Sequence, residues 1–399
     1  MFLRPGIIRW WRGAVGPRPS GASRAEESPL RLELFSLEHL ERHGKALAGW
    51  HQVDERGGRN RLLARLSDNE QVLLDAYELV VAAAEGERRL SPAAEWLLDN
   101  FYLIEEQVRL ARRHLPRGYN RLLPLVINGP HAGHPRVYAL ALELIAHVDG
   151  RLDQPGLVGF IAAYQTVAPL RLGELWAVPI MLRLALIENL RRVAARIAHG
   201  REARDEAQRW ADRMIEVAEH KPADLILAVA DFAKTQVVLS SAFVAEFARR
   251  LQGQSPSLSL ALNWVDQRLN EQDLSIERLV QLEGQSQASD QVSIGNSIGS
   301  LRLLAAMDWR EFVETLSVVE ATLRCDPADA YADSDFSTRD ACRHVVEETA
   351  RRGRLAEPAV AERAVALARA TGGDGSVHDR RRHVGWWLIG PGRDRLERE

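Results

Sequence analysis

The sequence predicts an all-α fold, a multi-helical array of stacked helix pairs around one long buried helix at about 171–198. Three observations predict it. Capping signals recur at helical spacing from Ser36 to Glu357. Between Leu175 and Ile187 apolar side chains fall on every face and Arg183 is the only charge, whereas a surface helix keeps one polar face. No run alternates apolar and polar residues with β-branched enrichment between hairpin turns.

In chain order, Ser36 caps a helix through about Trp50, and Ser67 with Glu70 reads as a capping box for a helix to about Glu85. Ser91 followed by Pro92 is an N-cap with proline at the first helical position. That helix sets Trp96, Leu97, Phe101, Ile104 and Val108 along one side, with Asp99, Glu105, Gln107 and Arg109 opposite. Pro116, Gly118, Pro124, Gly129, Pro130, Gly133 and Pro135 then stop the pattern. A long loop of this kind often carries function. Leu125–Asn128 is too short a candidate strand to change the class.

A helix from near Val137 ends at the Asp149-Gly150 turn, and another runs from about Pro155 to Val167. Inside the central helix Pro179 lacks the N–H for its helical bond, which predicts a kink near Leu175 or Trp176. Arg183 and Glu188 interrupt it too early for a membrane span, which needs about 20 apolar residues. Arg183 is expected to pair with a core carboxylate, the alternative being a guanidinium that faces a ligand. Charges return at Glu188, Arg191, Arg192 and Arg196, so the C-terminal half is expected to reach solvent. A break at Gly200 then leads to helices near 201–219, 223–235, 240–252, 257–270, 276–288, 292–306 and 309–323, with two more after Asp335 and Glu357. The expected divisions are a basic disordered arm (1–29), two helical subdomains (30–200 and 201–370), and a linker with a Trp/Arg tail (371–399).

A chain of 399 residues with a formal net charge of −3 does not point to nucleic acid as partner. Its two cysteines, Cys325 and Cys342, form neither a disulfide framework nor a zinc spacing, which suits a reducing compartment. Five arginines and no acid precede Glu26, and Arg9 and Arg12 break the Ile7–Trp11 cluster, so no export signal is read. The expected location is cytoplasmic, with a basic arm carrying Trp10 and Trp11 able to rest on an anionic membrane.

Several stretches are candidates for chemistry. Asp333-Ser334-Asp335 has the spacing with which two carboxylates share a divalent cation. An acidic helix N-terminus with a Ser337/Asp340 capping box explains the same residues without a metal. His131 and His134 can share a metal if a third ligand such as His147 arrives from elsewhere. Gly295 to Ser300 resembles a phosphate cradle but lacks the following lysine, which favours small residues that let helices approach closely. In the tail, Arg380, Arg381 and Arg382 with Trp386 and Trp387 suit a membrane–water interface, or else a tryptophan pair docked back onto the helices.

Five longer blocks and the tail carry a resemblance. They are SPAAEWLLDNFYLIEEQ (91–107), GPHAGHPRVYALALELIAHVDGRLD (129–153), FIAAYQTVAPLRLGELWAVPIMLRLALIENLRR (160–192), QVSIGNSIGSLRLLAAMDWREFVE (291–314) and YADSDFSTRDACRHVVEE (331–348), followed by RRRHVGWWLI. From about Leu30 to Glu397 the chain resembles the N-terminal region of bacterial cyclic β-1,2-glucan synthases. It departs from that family's pattern at Leu122, Cys342 and Trp386-Trp387, where a glutamate, a tyrosine and two tyrosines are usual.

The resemblance implies a part of a large inner-membrane enzyme that polymerises glucose from UDP-glucose, cyclises the chain and trims it by phosphorolysis. The family's catalytic modules lie downstream of the matched region. The transferase signature Gln-x-x-Arg-Trp is missing, since Gln208-Arg209-Trp210 lacks the spacing. No catalytic residue and no cofactor are therefore expected in this chain, UDP-glucose and a divalent metal belonging to the transferase module. The expected role is a scaffold for the membrane transferase segment, in trans if this is half of a split synthase, or a fragment of one, peripheral at the inner membrane. Alternatives are a module holding β-1,2-glucan on Tyr119, Tyr138 and Trp176, and a transferase using Asp333 and Asp335 as metal ligands.

Overall fold

The structure is a computed structural model that describes residues 30–58, 61–115, 122–370 and 380–398. Tyr119 and the basic arm fall outside these residues. The architecture is all-α, as expected. In order come α1 (Leu37–Trp50), β1 (Val53–Asp54), α2 (Leu62–Glu85), α3 (Pro92–His114), β2 (Leu125–Val126), α4 (Arg136–His147), α5 (Gln154–Gln165) and α6 (Leu172–His220). They are followed by α7 (Leu225–Lys234), α8 (Ser241–Leu251), α9 (Ser259–Asn270), α10 (Ile276–Ala306), α11 (Trp309–Leu316) and α12 (Val318–Leu323). The last are α13 (Phe336–Gly353), α14 (Glu357–Ala370), α15 (Val384–Leu388) and α16 (Arg393–Leu396).

Helix α6 organises the molecule. Its 49 residues extend roughly 74 Å at 1.5 Å per residue. The first half lies among α2, α3, α4, α10 and α11, and every apolar side chain from Met181 to Ile187 is buried there. Beyond Arg201 the second half buries an Ala207, Ala211, Met214 and Ala218 stripe against α7 and α8. Pro179 sits inside the helix, which continues on both sides. The expected break at Gly200 is absent. A mid-helix glycine costs only about 1 kcal/mol, and both flanks are anchored. Ile197 lies in the main apolar cluster, and buried Arg201 donates to the Arg89 carbonyl and to Asp205.

Three apolar clusters follow. The main one joins α1 to α6 with α10 and α11, a second gathers α6 to α10 around Phe232, Phe243 and Phe247, and a third gathers α12 to α16. Polar residues set the remaining differences from expectation. The stretches 276–288 and 292–306 form the single helix α10, in which Ser293, Ser297 and Ser300 are buried partners and not breakers. Asn189 donates to Ser293 Oγ and Ser297 Oγ at 3.1 Å each, and Ser300 Oγ donates to the Gly150 carbonyl at 2.6 Å. Close packing here is the work of serines, since a Cβ at Gly295 or Gly299 would meet open space. Gly150 is the position that must be glycine: φ is +72° and a Cβ would lie 2.6 Å from Ser297 Oγ.

Helix α2 begins at Leu62, before the Ser67/Glu70 pair, and Glu70 instead accepts from Arg112 of α3. Trp96 is 40% exposed, off the apolar stripe of α3, whereas Gln107 is buried. The expected 309–323 helix divides at Ser317, whose hydroxyl caps α12 by accepting from the Glu320 N–H. Leu125 and Val126 do pair, in an antiparallel ribbon that matches Val53 with Val126 and Asp54 with Leu125. Among the described residues no helix is long and apolar enough to cross a membrane.

Candidate functional site

Where α1, α4 and the proline-rich loop meet, three histidines surround one carboxylate. Glu143 and His147 stand one turn apart on α4 and so share a face. His43 arrives from α1, which approaches α5 closely enough that a Cβ on Gly44 would sit 2.8 Å from the Phe160 carbonyl. His43 Nε2 lies 3.2 Å from Glu143 Oε2, His131 Nε2 3.1 Å from Oε1, and His147 Nε2 3.8 Å from Oε2. Burial alone would raise the Glu143 carboxyl, but hydrogen bonds from His131 and His43 hold it down to about 2. The segment before α1 completes the site. Leu32 and Phe35 donate backbone hydrogen bonds to the Ala146 and His147 carbonyls, which lays the Phe35 ring on His147 with centroids 3.9 Å apart.

A second carboxylate lies deeper. Glu188 of α6 is fully buried and accepts from Arg65 at 2.7 and 2.9 Å, Asn69 at 2.8 Å, Arg191 at 2.7 Å and Arg192 at 3.0 Å. Burial works against the charge, yet these donors hold the carboxyl far below the usual carboxylate range. Glu174 pairs with buried Arg136, and Glu320 with buried Arg343 at 2.6 Å. Arg183 differs from the expectation. Its Nε donates to the neutral amide oxygen of Gln107 at 2.7 Å, and no described carboxylate pairs with it. Burial pushes that guanidinium below its ordinary value. A cleft of about 440 Å³ beside Arg88, Arg201, Arg204 and Arg249 offers no spare cation among those four, because each pairs with an acid.

The other sequence candidates are scattered. Tyr138 is 1% exposed, so its ring has no face to offer a sugar, and Trp176 is half-buried. Asp335 is the N-cap of α13, accepting from the Thr338 N–H at 2.7 Å and the Ser337 hydroxyl at 3.1 Å, bonds that lower its carboxyl. That displaces the Ser337/Asp340 capping box, and Asp340 accepts from Arg343 instead. Asp333 is exposed on the preceding turn, and among the described residues the sheet is limited to the β1–β2 ribbon, which contains neither aspartate. In the tail, Trp387 is 3% exposed and donates from Nε1 to the Arg381 carbonyl, and Trp386 packs on the same cluster. The tryptophan pair is docked back onto the helices, with Arg380 and Arg381 exposed and Arg382 reaching the Pro327 carbonyl.

No family model matches the chain. It is 30% identical over 394 residues to the cyclic β-(1,2)-glucan synthase NdvB of Rhizobium meliloti (strain 1021), an alignment covering 96% of this chain and 13% of that protein. The chain is related to a cyclic β-1,2-glucan synthase. It spans about an eighth of the length of the synthase it matches.

Of the three histidines read as a loop set, two converge and one does not. His131 and His147 both face Glu143, whereas His134 turns toward the Tyr138 ring, 5.5 Å between centroids, where burial lowers its pKa. The missed members are Glu143 and His43. Glu143 was findable, since a Glu and a His four apart on one helix face are neighbours. His43 lies 100 residues away in sequence from Glu143 and carries no local signal.

Proposed function

We propose that this chain is a non-catalytic helical scaffold for cyclic β-1,2-glucan synthesis, holding a membrane-embedded transferase segment supplied by other parts of the synthase. The observation that carries the reading is the alignment with the synthase over 96% of this chain. The packing supports it. Glu188, Glu174 and Glu320 are each fully buried and paired with at least one arginine, an arrangement that suits a stiff frame. UDP-glucose and its divalent metal then belong to the transferase segment, and the scaffold works at the cytoplasmic face of the inner membrane.

The test uses membranes carrying a cyclic β-1,2-glucan synthase from which the matching segment is deleted. Glucan formation from UDP-glucose is expected to fall on deletion and to recover when this chain is added in trans. The purified chain alone is expected to transfer no radiolabelled glucose; transfer by it, or no effect of the deletion, sinks the scaffold reading.

A further inference from the structure

We propose that His43, Glu143 and His147 form a binding site for one divalent transition-metal ion, with zinc the best-suited occupant. His43 Nε2, Glu143 Oε2 and His147 Nε2 all lie within 4.8 Å of one another. Two imidazole nitrogens and one carboxylate oxygen are a donor set that zinc takes at about 2.0–2.2 Å, so tetrahedral neighbours stand about 3.4 Å apart. The observed separations of 3.2 and 3.8 Å from Glu143 Oε2 to the two nitrogens straddle that value.

The hydrogen bonding of His147 points the same way. Its Nδ1 lies 2.7 Å from the Glu33 carbonyl, which can only accept, so Nδ1 carries the proton. In the neutral ring Nε2 is then a bare lone pair, and it faces a carboxylate oxygen 3.8 Å away that is also a lone-pair bearer. His43 Nε2 reaches the same Oε2 at 3.2 Å, so the oxygen and both ring nitrogens converge on one point where a cation would be held. A cation takes lone pairs from Glu143 Oε2 and from both histidines at once, whereas a second proton on His147 serves only that ring and Oε2. The backbone carbonyl behind the ring is the outer partner that metal-bound histidines ordinarily have, fixing both tautomer and orientation.

The surroundings complete the site. His131 holds the other oxygen, Oε1, at 3.1 Å and thereby aims Oε2 at the two histidines. Phe35 covers the His147 face and meets His43 edge-on at 5.4 Å, so the site is dry on one side. The His43 side chain keeps 24% exposure, which leaves a way in and a fourth coordination position for water. Loading the cation requires a neutral His43 ring with its proton on Nδ1, so a ring that donates from Nε2 changes tautomer and only a doubly protonated ring releases a proton.

The experiment uses the untagged full chain, stripped with a chelator and exchanged into chelator-free buffer. It is titrated with Zn²⁺ against a chromophoric competitor and, separately, with Co²⁺ followed by visible absorption. One equivalent of each is expected, with the strong visible bands of a four-coordinate cobalt site. His43→Ala and the near-isosteric Glu143→Gln abolish tight binding, His131→Ala weakens it about 10–100-fold as an outer partner does, and His134→Ala leaves it unchanged. Far-UV circular dichroism establishes that each variant is folded. If folded wild-type chain takes up neither ion, or folded Glu143→Gln takes them up equally well, the cluster only shares protons and the proposal is wrong. These readouts involve no glucan, so they stand or fall apart from the scaffold reading.

Discussion

Glu188 and Glu143 are both carboxylates held in the folded core by nitrogen-bearing side chains, but one is ringed by arginines and the other by histidines. Around Glu188 the cations cannot lose their charge, and the carboxylate itself has no exposed surface. Around Glu143 every partner has a lone pair available in its neutral form, and the cluster touches solvent. The same electrostatic device therefore yields a permanent pin in one place and a conditional site in the other. The difference lies in side-chain chemistry, since both carboxylates are held in the charged form.

The sharpest break in that comparison is Glu188→Ala. It removes the acceptor that Arg65, Arg191 and Arg192 share and leaves a cavity, and removing one partner of a buried ion pair costs about 3–5 kcal/mol. Glu143→Gln is expected to cost less, about 1.5–3 kcal/mol, the range for hydrogen bonds to a charged group. Urea denaturation of both variants at neutral pH checks the order; equal costs would erase the distinction. The acid limb sharpens it. The Glu143 carboxyl is about 2 in the folded chain against 4.5 ordinarily, so its contribution is present above about 4.5 and is lost as pH falls from there through 2. The gap between wild type and Glu143→Gln should close across that window.

A third carboxylate, Glu357, forms no ion pair among the described residues, and Arg171 only partly offsets its burial. Glu357 accepts from the Leu172 N–H at 2.8 Å at the start of α6, but burial pushes it up to about 7 and Glu347 adds to the rise. Here the folded pKa is raised, so the stabilising contribution is full below about 4.5 and is lost as pH rises through 7. Glu357→Gln keeps an acceptor for Leu172 without the charge. It is expected to raise stability above pH 7 by up to about 3 kcal/mol, from 1.36 kcal/mol per pKa unit, and to do little at pH 5. Thermal melts at the two pH values measure it; an equal shift at both would remove the electrostatic account.

These partnerships also mark how far the sequence could be read. Helix starts were legible where the cue is local: Ser36 and Ser91 each accept from the backbone three residues on, which needs no knowledge of the rest of the chain. The buried first half of α6 was legible because its apolar residues fall on all faces. Continuity was not. Whether Gly200 ends a helix depends on what holds its flanks, and whether the serines of α10 break it depends on Asn189 lying opposite. The polar sites were the least legible, as Glu188 finds Arg65 at a separation of 123 residues. The tryptophan tail carried two compatible readings until Trp387 was seen packed inside the third cluster.

The smallest expected effect tests the comparison from its opposite side. Arg183 is a buried cation with a neutral partner, so its desolvation is repaid by one hydrogen bond to Gln107 and no ion pair. Replacing a buried polar pair by apolar groups of similar shape is often neutral or stabilising. Arg183→Met with Gln107→Leu is therefore expected to leave stability within about 1 kcal/mol of wild type, whereas Arg183→Met alone leaves the Gln107 amide unpaired and costs about 1–3 kcal/mol. Urea denaturation of the single and double variants separates the two outcomes. A double variant as damaged as Glu188→Ala would mean that Arg183 serves the core as a charge, and that being ringed by fixed ions is not what distinguishes the Glu188 site.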